Sequence, residues 1–333
     1  MLVALSVPCA VLPVLAFLWL IWWMDRYDRE PLWLFGLAFL WGAGGGAVLA
    51  LVTSHAATSG AQGMTVVEMM RLAPLIEEPA KALVLLLIVT SHHFDNTTDG
   101  FVYGAAAGLG FGMTENLFYF SHAAQGGDLL AFALLVALRS LYSALMHAAA
   151  TSVVGASLGW AKFRRGWSRF LVLPAGMGLA IGIHALWNEL LAAGAAGSVA
   201  LGLLDFVLFP LEFGVLFGIF QLCLLDEKGI LQRELQEEVD LGVIPPEHLA
   251  FLGAYRKRSL PGWLPSTMDH RAYVRAATTL AFRKHQLRNT AAPDFYAVEV
   301  TRLRQSILQL LVGGGIEPQE IPALMAFDAL PGR

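Results

Sequence analysis

Residues 2–24 read LVALSVPCAVLPVLAFLWLIWWM, a stretch without a charged side chain that ends in two tryptophans and a methionine. A bilayer core about 30 Å thick is crossed by about 20 apolar residues in a helix, so this stretch predicts a membrane span. No Lys or Arg precedes it, and Asp25 and Arg26 follow it directly, which is not typical of a cleavable signal peptide. Trp22 and Trp23 are typical of the interfacial end of a retained span.

The composition of the whole chain agrees with a membrane protein. Of its 333 residues, 56% are apolar and only 14% are charged, and the mean hydropathy is +0.60. A soluble domain carries about a quarter charged residues, so these values exclude a cytosolic globule, a disordered chain and a secreted disulfide scaffold. Cys9 and Cys223 lie in separate apolar runs without metal-type spacing. The net charge of -4 argues against a nucleic-acid partner.

Six more apolar runs follow the first. They cover residues 32–56, 66–90, 99–121, 129–161, 170–194 and 197–225. The sequence therefore predicts an all-α, polytopic bundle of about seven transmembrane helices over residues 1–225, embedded in a lipid bilayer.

The distribution of basic residues predicts the orientation of this bundle. Arg26 and Arg29 follow the first run, Lys162 and Arg164 lie between the fifth and sixth, and the loops on the other side hold almost none. Basic residues are enriched in cytoplasmic loops, so we expect an integral membrane protein with its N-terminus outside and its C-terminus in the cytoplasm.

Residues 226–333 differ in kind from the apolar part. They hold 26 charged residues, 13 of each sign, and several segments alternate apolar and charged positions at helical spacing. We expect a small helical cytoplasmic domain or tail without a nucleic-acid-binding surface.

Polar and ionisable side chains inside the apolar runs are the candidate functional residues. They are Glu77, Glu78, Lys81, Glu115, Arg139, His147, His184 and Asn188. Each costs several kcal/mol in lipid unless it is paired or faces the bundle interior, which makes it a functional candidate.

Spacing indicates which of these groups cooperate. Lys81 lies four residues after Glu77 and three after Glu78, so it can neutralise one carboxylate and leave the other for proton transfer. His184 and Asn188 share one helical face. Desolvated carboxylates, imidazoles and an amide can activate water as general base and stabilise an oxyanion, or they can bind a divalent metal.

Structural explanations exist for several of the same residues. Arg139 is interpreted as a counter-ion for Glu115, Asp205 or Glu212, and His147 can equally cap a carbonyl. Gly104, Gly108 and Gly112 form a small-residue seam, which predicts close helix packing and not catalysis.

Four short motifs lie in order on successive apolar runs. They are EEPAK at 77–81, FGMTEN at 111–116, His147, and HALWN at 184–188. Together with the loop DRYDREP at 25–31, they resemble the PrsW family of bacterial intramembrane proteases, which is related to the type II CAAX prenyl endopeptidases. The resemblance covers about residues 15–225.

This resemblance implies a membrane-embedded endopeptidase in a bacterial inner membrane, with an anti-sigma factor as the expected kind of substrate. Glu77 would activate the water, Glu78 would partner Lys81, and His184 with Asn188 would polarise the scissile carbonyl or hold the water. Glu115 would be a metal ligand, a second acid or an anchor for a histidine.

The sequence leaves two further choices open. A divalent metal such as Zn²⁺ would be held by Glu77, Glu115, His147 and His184, but the helical His-Glu-x-x-His signature is absent and a metal-free glutamate mechanism fits the same residues. The alternative to a protease is a proton- or metal-coupled transporter or a non-enzymatic sensor scaffold, because buried acids and histidines also build ion pathways.

Overall fold

The structure is a computed structural model. It describes residues 2–59, 64–164, 166–289 and 293–316. Two compact units divide the chain, one formed by Met1–Asp25 and Arg29–Gln221, the other by Arg26–Asp28 and Leu222–Arg333.

The first unit is all helical in its described part, as the sequence predicts. Its helices are α1 (Leu2–Met24), α2 (Leu32–Leu40), α3 (Ala47–Thr58), α4 (Val66–Ile88), α5 (Thr97–Gln125), α6 (Leu129–Leu138), α7 (Ala144–Lys162), α8 (Ser168–Ala195) and the first part of α9 (Val199–Asp240). Two π-helical segments interrupt the series, Trp41–Gly46 between α2 and α3 and Arg139–Ser143 between α6 and α7.

Four described helical stretches are long and apolar enough to cross a membrane. They are Leu2–Met24, Leu32–Thr58, Leu129–Lys162 and Ser168–Gly194. They coincide with four of the seven predicted spans. The other three predicted spans lie within α4, α5 and α9, and the count of seven stays a prediction.

Helices α5 and α7 pack with their backbones in contact. A Cβ atom on Gly104 would collide with the carbonyl oxygen of Thr151, and one on Gly108 with that of His147. The predicted small-residue seam is therefore confirmed, and its effect is to bring α5 against the part of α7 that carries His147.

Both π-helical segments are bound by polar side chains of α5. The Thr114 hydroxyl donates to the carbonyl of Ala43 over 2.7 Å, and the Asn116 amide donates to the carbonyl of Arg139 over 3.2 Å. Glu115 lies between these two residues. Because π-helical turns are frequent at functional sites, this arrangement indicates that the part of α5 around Glu115 belongs to a functional site.

The loop between α1 and α2 buries an acid against the start of α5. Glu30 is buried, accepts a hydrogen bond from the hydroxyl of Tyr103, and its backbone nitrogen donates to the carboxylate of Asp25 over 3.3 Å. Burial raises the pKa of Glu30 well above its usual value, and the nearby carboxyl of Asp99 raises that pKa further.

The second unit has a core of its own. The last part of α9 is followed by α10 (Pro246–Leu252), α11 (Tyr255–Arg258), α12 (His270–Asn289) and α13 (Pro293–Gly313). Leu231, Tyr273 and Leu280 are among its buried residues. The buried Lys284 Nζ lies 2.7 Å from Glu238 Oε1. The same carboxylate accepts hydrogen bonds from both Nε and Nη2 of Arg304.

Candidate active site

Helix α4 carries the two adjacent glutamates. It begins with a capping box in which the Thr65 hydroxyl accepts from the Glu68 backbone and the Glu68 carboxylate accepts from the Thr65 backbone. Consecutive residues on a helix are about 100° apart, so Glu77 and Glu78 face different neighbours.

Glu78 is the fixed member of the pair. Its side chain has no solvent exposure, and Oε1 accepts from Lys81 Nζ at 2.6 Å and from His184 Nδ1 at 2.8 Å. Oε2 accepts from the hydroxyl of Thr151 at 3.1 Å. Since an ionised carboxylate only accepts hydrogen bonds, Nδ1 of His184 carries a proton, and in the neutral ring Nε2 presents a lone pair.

His147 is held from both sides of its ring. Lys81 Nζ lies 2.8 Å from Nδ1, and an ammonium can only donate, so Nδ1 is the acceptor. Nε2 therefore carries the proton and donates to Glu115 Oε2 over 2.6 Å. The buried Lys81 ammonium also lies over the ring of Phe111 at 4.1 Å, so it links α4 to both α5 and α7.

Glu115 lies between His147 and Arg139. Arg139 Nη2 is 2.8 Å from Glu115 Oε2, the same oxygen that His147 contacts. Of the three partners that the sequence left open for Arg139, the structure places Glu115 against it. The side chains of Asp205 and Glu212 lie outside the described part of the chain.

Glu77 faces a cavity of about 250 Å³ between α4, α5, α7 and α8. The apolar part of its wall consists of Val66, Met69, Met70, Ala73, Met146, Trp187 and Leu191, and its polar part of Glu77, Glu115, Tyr119, Arg139, His147, His184 and Asn188. The Glu77 side chain is 16% exposed, and its buried Oε2 has no hydrogen-bond partner among the described residues.

The surroundings of Glu77 Oε2 define what this atom can bind. It lies 3.6 Å from Lys81 Nζ and 3.8 Å from His184 Nε2. Two lone-pair atoms at that separation are satisfied together by a water molecule that donates to both or by a metal ion. Glu77, His147 and His184 each offer one ligand-type atom within 4.8 Å of the others.

Glu77, His147 and His184 differ in whether their ligand-type atoms are available to a metal ion. The Glu77 oxygen and His184 Nε2 are open, whereas both ring nitrogens of His147 are hydrogen-bonded. His147 can join a metal only by releasing Lys81 or Glu115. Glu115, the fourth predicted ligand, uses Oε2 for both Arg139 and His147.

Asn188 connects α8 to α4. Its amide nitrogen donates to the carbonyl of Met70 over 2.8 Å. Pro74 has no backbone N–H, so the helical hydrogen bond that the Met70 carbonyl would otherwise accept is missing. The amide of Asn188 replaces that donor, as neighbouring helices do for proline-interrupted membrane helices.

The structure thus brings together all eight residues singled out in the sequence, although their catalytic roles stay predictions. The sequence analysis did not select Tyr119, which lines the cavity and stacks on the Arg139 guanidinium at 3.7 Å. Its position one helical turn after Glu115 was the available signal. Thr151, which lies one turn after His147, donates to Glu78.

Comparisons of the sequence with known proteins all point to the PrsW family. A family model described as "PrsW family intramembrane metalloprotease" matches residues 30–218, which include all four motifs. A protein named Protease PrsW from Geobacillus kaustophilus (strain HTA426) is 30% identical over 189 residues, covering 56% of this chain and 80% of the relative. Protease PrsW from Bacillus subtilis (strain 168) is 26% identical over 189 residues, covering 56% and 83%. Protease PrsW from Clostridioides difficile (strain 630) is 32% identical over 115 residues, covering 33% and 48%. No solved structure matches the chain.

Proposed function

The chain belongs to the PrsW family of intramembrane metalloproteases and is a membrane-embedded protease, and on this premise we propose that it is an endopeptidase with Glu77 as the general base. The observation that carries this proposal is the Glu77 oxygen in the cavity, buried and without a hydrogen-bond partner among the described residues. A general base must reach a water molecule, and Glu77 Oε2 is a buried carboxylate oxygen that no described donor occupies, whereas the carboxylate of Glu115 is already engaged by Arg139 and His147.

Glu78 and Lys81 support the base without acting on the substrate. Glu78 is fully buried and its oxygens are occupied by Lys81, His184 and Thr151. Its role is to hold the tautomer of His184 that directs Nε2 toward Glu77. Lys81 provides the positive charge that keeps two adjacent carboxylates together in a membrane helix.

His184 shares the attacking water with Glu77. The two atoms that face each other, Nε2 and Oε2, are 3.8 Å apart and both accept hydrogen bonds, so a water between them presents its oxygen to the cavity. Glu115 orients His147 by accepting a hydrogen bond from its Nε2–H group, which makes Glu115 an anchor for a histidine.

A metal fits the same place. Glu77 and His184 would hold it, with His147 as a third ligand, and a divalent ion such as Zn²⁺ would supply a Lewis acid that lowers the pKa of its bound water to about 7.

The substrate we propose is a membrane-protein segment unfolded into the cavity, with an anti-sigma factor as the example. The methionines and Trp187 of the wall fit apolar side chains of varied shape, because methionine adapts to irregular partners. We also propose an inner-membrane location with the N-terminus outside and the C-terminus in the cytoplasm, which rests on the basic residues near positions 26–29 and 162–169.

The test is cleavage of a pool of synthetic transmembrane peptides by the purified full chain in detergent, with products identified by mass spectrometry. We expect the wild type to cleave and Glu77→Gln to lose roughly 100-fold to 10,000-fold in rate, which is the usual contribution of a general base. The matched control is Glu68→Gln on the same helix, which preserves a capping box and should cleave normally. Cleavage by Glu77→Gln at the wild-type rate would exclude Glu77 as the base.

A further inference from the structure

Arg139 forms an ion pair with Glu115 but no two-pronged hydrogen bond to its carboxylate among the described contacts. Nη2 lies 2.8 Å from Glu115 Oε2 and 3.1 Å from the hydroxyl of Ser143, while Nε donates to Asn116 Oδ1 over 2.9 Å. Nη1 makes no hydrogen bond with the residues that the structure describes. The residue is only 8% exposed, and it lines the same cavity as Glu77.

Two other arginines of this chain bind a carboxylate through two nitrogens, as counter-ions usually do. Arg304 binds Glu238 through Nε and Nη2, both at 2.8 Å, and Arg71 binds Glu189 through the same two nitrogens. Such two-pronged pairs are the usual geometry of an arginine that neutralises a carboxylate. Arg139 departs from this geometry, because its Nε donates to Asn116 and its Nη1 has no hydrogen-bond acceptor among the described residues.

The position of the Arg139 guanidinium is fixed by its surroundings. The side chain of Asn116 accepts a hydrogen bond from Arg139 Nε and donates one to the backbone carbonyl of Arg139. The ring of Tyr119 stacks on the guanidinium at 3.7 Å. The residue opens a π-helical segment, whose wider turn is common at functional sites. A donor held in this way needs little reorganisation when charge develops next to it.

The cavity wall therefore contains an acceptor atom on Glu77 and a donor atom on Arg139 that have no hydrogen-bond partner among the described residues. The amide of Asn188, to which the resemblance assigns the substrate carbonyl together with His184, is held by its hydrogen bond to the Met70 carbonyl. We propose that Arg139 Nη1 donates to the carbonyl oxygen of the scissile peptide bond and stabilises the negative charge that forms there. This inference rests on the proposed function.

In the step we propose, the water oxygen bonds to the carbonyl carbon, its proton passes to Glu77, and the electron pair of the C=O bond moves to the oxygen that Arg139 holds. When the C=O bond re-forms, the C–N bond breaks and the leaving nitrogen takes the proton from Glu77. The products are a carboxylic acid and an amine, and Arg139 keeps its protons throughout.

The first test is Arg139→Lys, assayed on the peptide that the wild type cleaves best from the pool. Lysine keeps the positive charge next to Glu115 but loses the guanidinium fork. We expect kcat to fall roughly 100-fold with KM within about threefold, which is typical for the loss of one oxyanion donor. Arg71→Lys, which changes a paired exposed arginine outside the cavity wall, is the control and should keep kcat within about twofold.

A second variant decides the matter if Arg139→Lys proves less stable than the wild type. In Arg139→Ala, added guanidinium should restore part of kcat and added methylammonium should not, because only guanidinium offers a planar pair of donors. Equal rescue by both cations, rescue by neither, or a wild-type kcat in Arg139→Lys would overturn the proposal. If the wild type cleaves and Glu77→Gln does not, such a result refutes only the role of Arg139. If the wild type itself cleaves none of the peptides, the proposed function fails first.

Discussion

Replacing Asn188 tests whether this residue holds two helices together or acts on the substrate. Leucine has the same branched shape as asparagine but no donor, so in Asn188→Leu the carbonyl of Met70 loses its 2.8 Å hydrogen bond from the amide. An unsatisfied buried carbonyl costs about 1–3 kcal/mol. Measured hydrogen bonds between membrane helices average about 0.6 kcal/mol. We therefore expect Asn188→Leu to lower the free energy of unfolding by about 1 kcal/mol.

Pro74 offers a way to isolate this hydrogen bond from other effects. Pro74→Ala supplies a backbone N–H four residues after Met70, which satisfies the carbonyl within α4 itself. In the Pro74→Ala background, the cost of Asn188→Leu should fall to a few tenths of a kcal/mol. The coupling in this double-mutant cycle is then on the order of 1 kcal/mol.

Thermal unfolding in detergent, followed by circular dichroism, measures the four proteins of the cycle. A loss of 1 kcal/mol corresponds to a Tm shift of about 2–4 °C for chains of 150–250 residues. Peptide cleavage is measured in parallel, and Pro74→Ala should recover part of the activity lost in Asn188→Leu. Equal Tm losses in both backgrounds would refute the tie to Met70, and activity loss that Pro74→Ala does not relieve would indicate that Asn188 acts on the substrate.

Three more outcomes follow from the same contacts. Elemental analysis of purified protein should find on the order of one divalent ion per chain, reduced in His184→Ala, and an unchanged content in that variant would exclude His184 as a ligand. Gly108→Ala should lower the free energy of unfolding by about 1–3 kcal/mol, because the added Cβ meets the backbone of α7. Gly182→Ala, which meets nothing, should leave it equal or raise it by up to about 1 kcal/mol. Because the raised pKa of Glu30 lets the folded state keep a proton that the unfolded state has released, the Tm should fall as pH rises above about 4.3. Glu30→Gln should flatten that decline, and a Tm that rises with pH in the wild type would contradict it.

The sequence was sufficient to predict that the buried acids and histidines converge. A charge in lipid has few stable positions, and the bundle interior beside another polar group is the main one. For that reason Glu77 and His184, on different helices, could be placed together from their depth alone, and they lie 3.8 Å apart. The same argument gave Glu115 as a partner of Arg139, at 2.8 Å.

Other contacts depend on features that no pattern in the sequence reports. The bond between Lys81 and His147 joins residues 66 positions apart and requires that α5 and α7 touch along their glycines. The tie from Asn188 to Met70 exists because a proline four residues later removes a donor. The two π-helical segments are only six and five residues long, too short to show a hydrophobic period, so the position of Arg139 at the start of one could not be predicted.

Two of the helices that carry the site, α4 and α5, are not evident as membrane spans from their composition. Four described stretches are apolar enough to span a bilayer, and α4 and α5 are not among them. Glu77, Glu78 and Lys81 lower the hydropathy of α4, and several glycines with Glu115 do the same for α5. For α5 the surrounding helices compensate for this, because residues 104–112 are buried and a helix shielded from lipid does not need an apolar surface.

The charges around the cavity support the proposal that Glu77 is the reactive carboxylate. With both histidines neutral, the three glutamates at positions 77, 78 and 115 are matched by two cations, at 81 and 139. Glu78 and Glu115 each lie within 2.8 Å of a cation, whereas Glu77 is 3.6 Å from Lys81. The excess negative charge thus belongs to Glu77, which lines the cavity. A proton taken from water, or a divalent cation, removes that excess, so the electrostatic imbalance of the site favours the chemistry proposed for it.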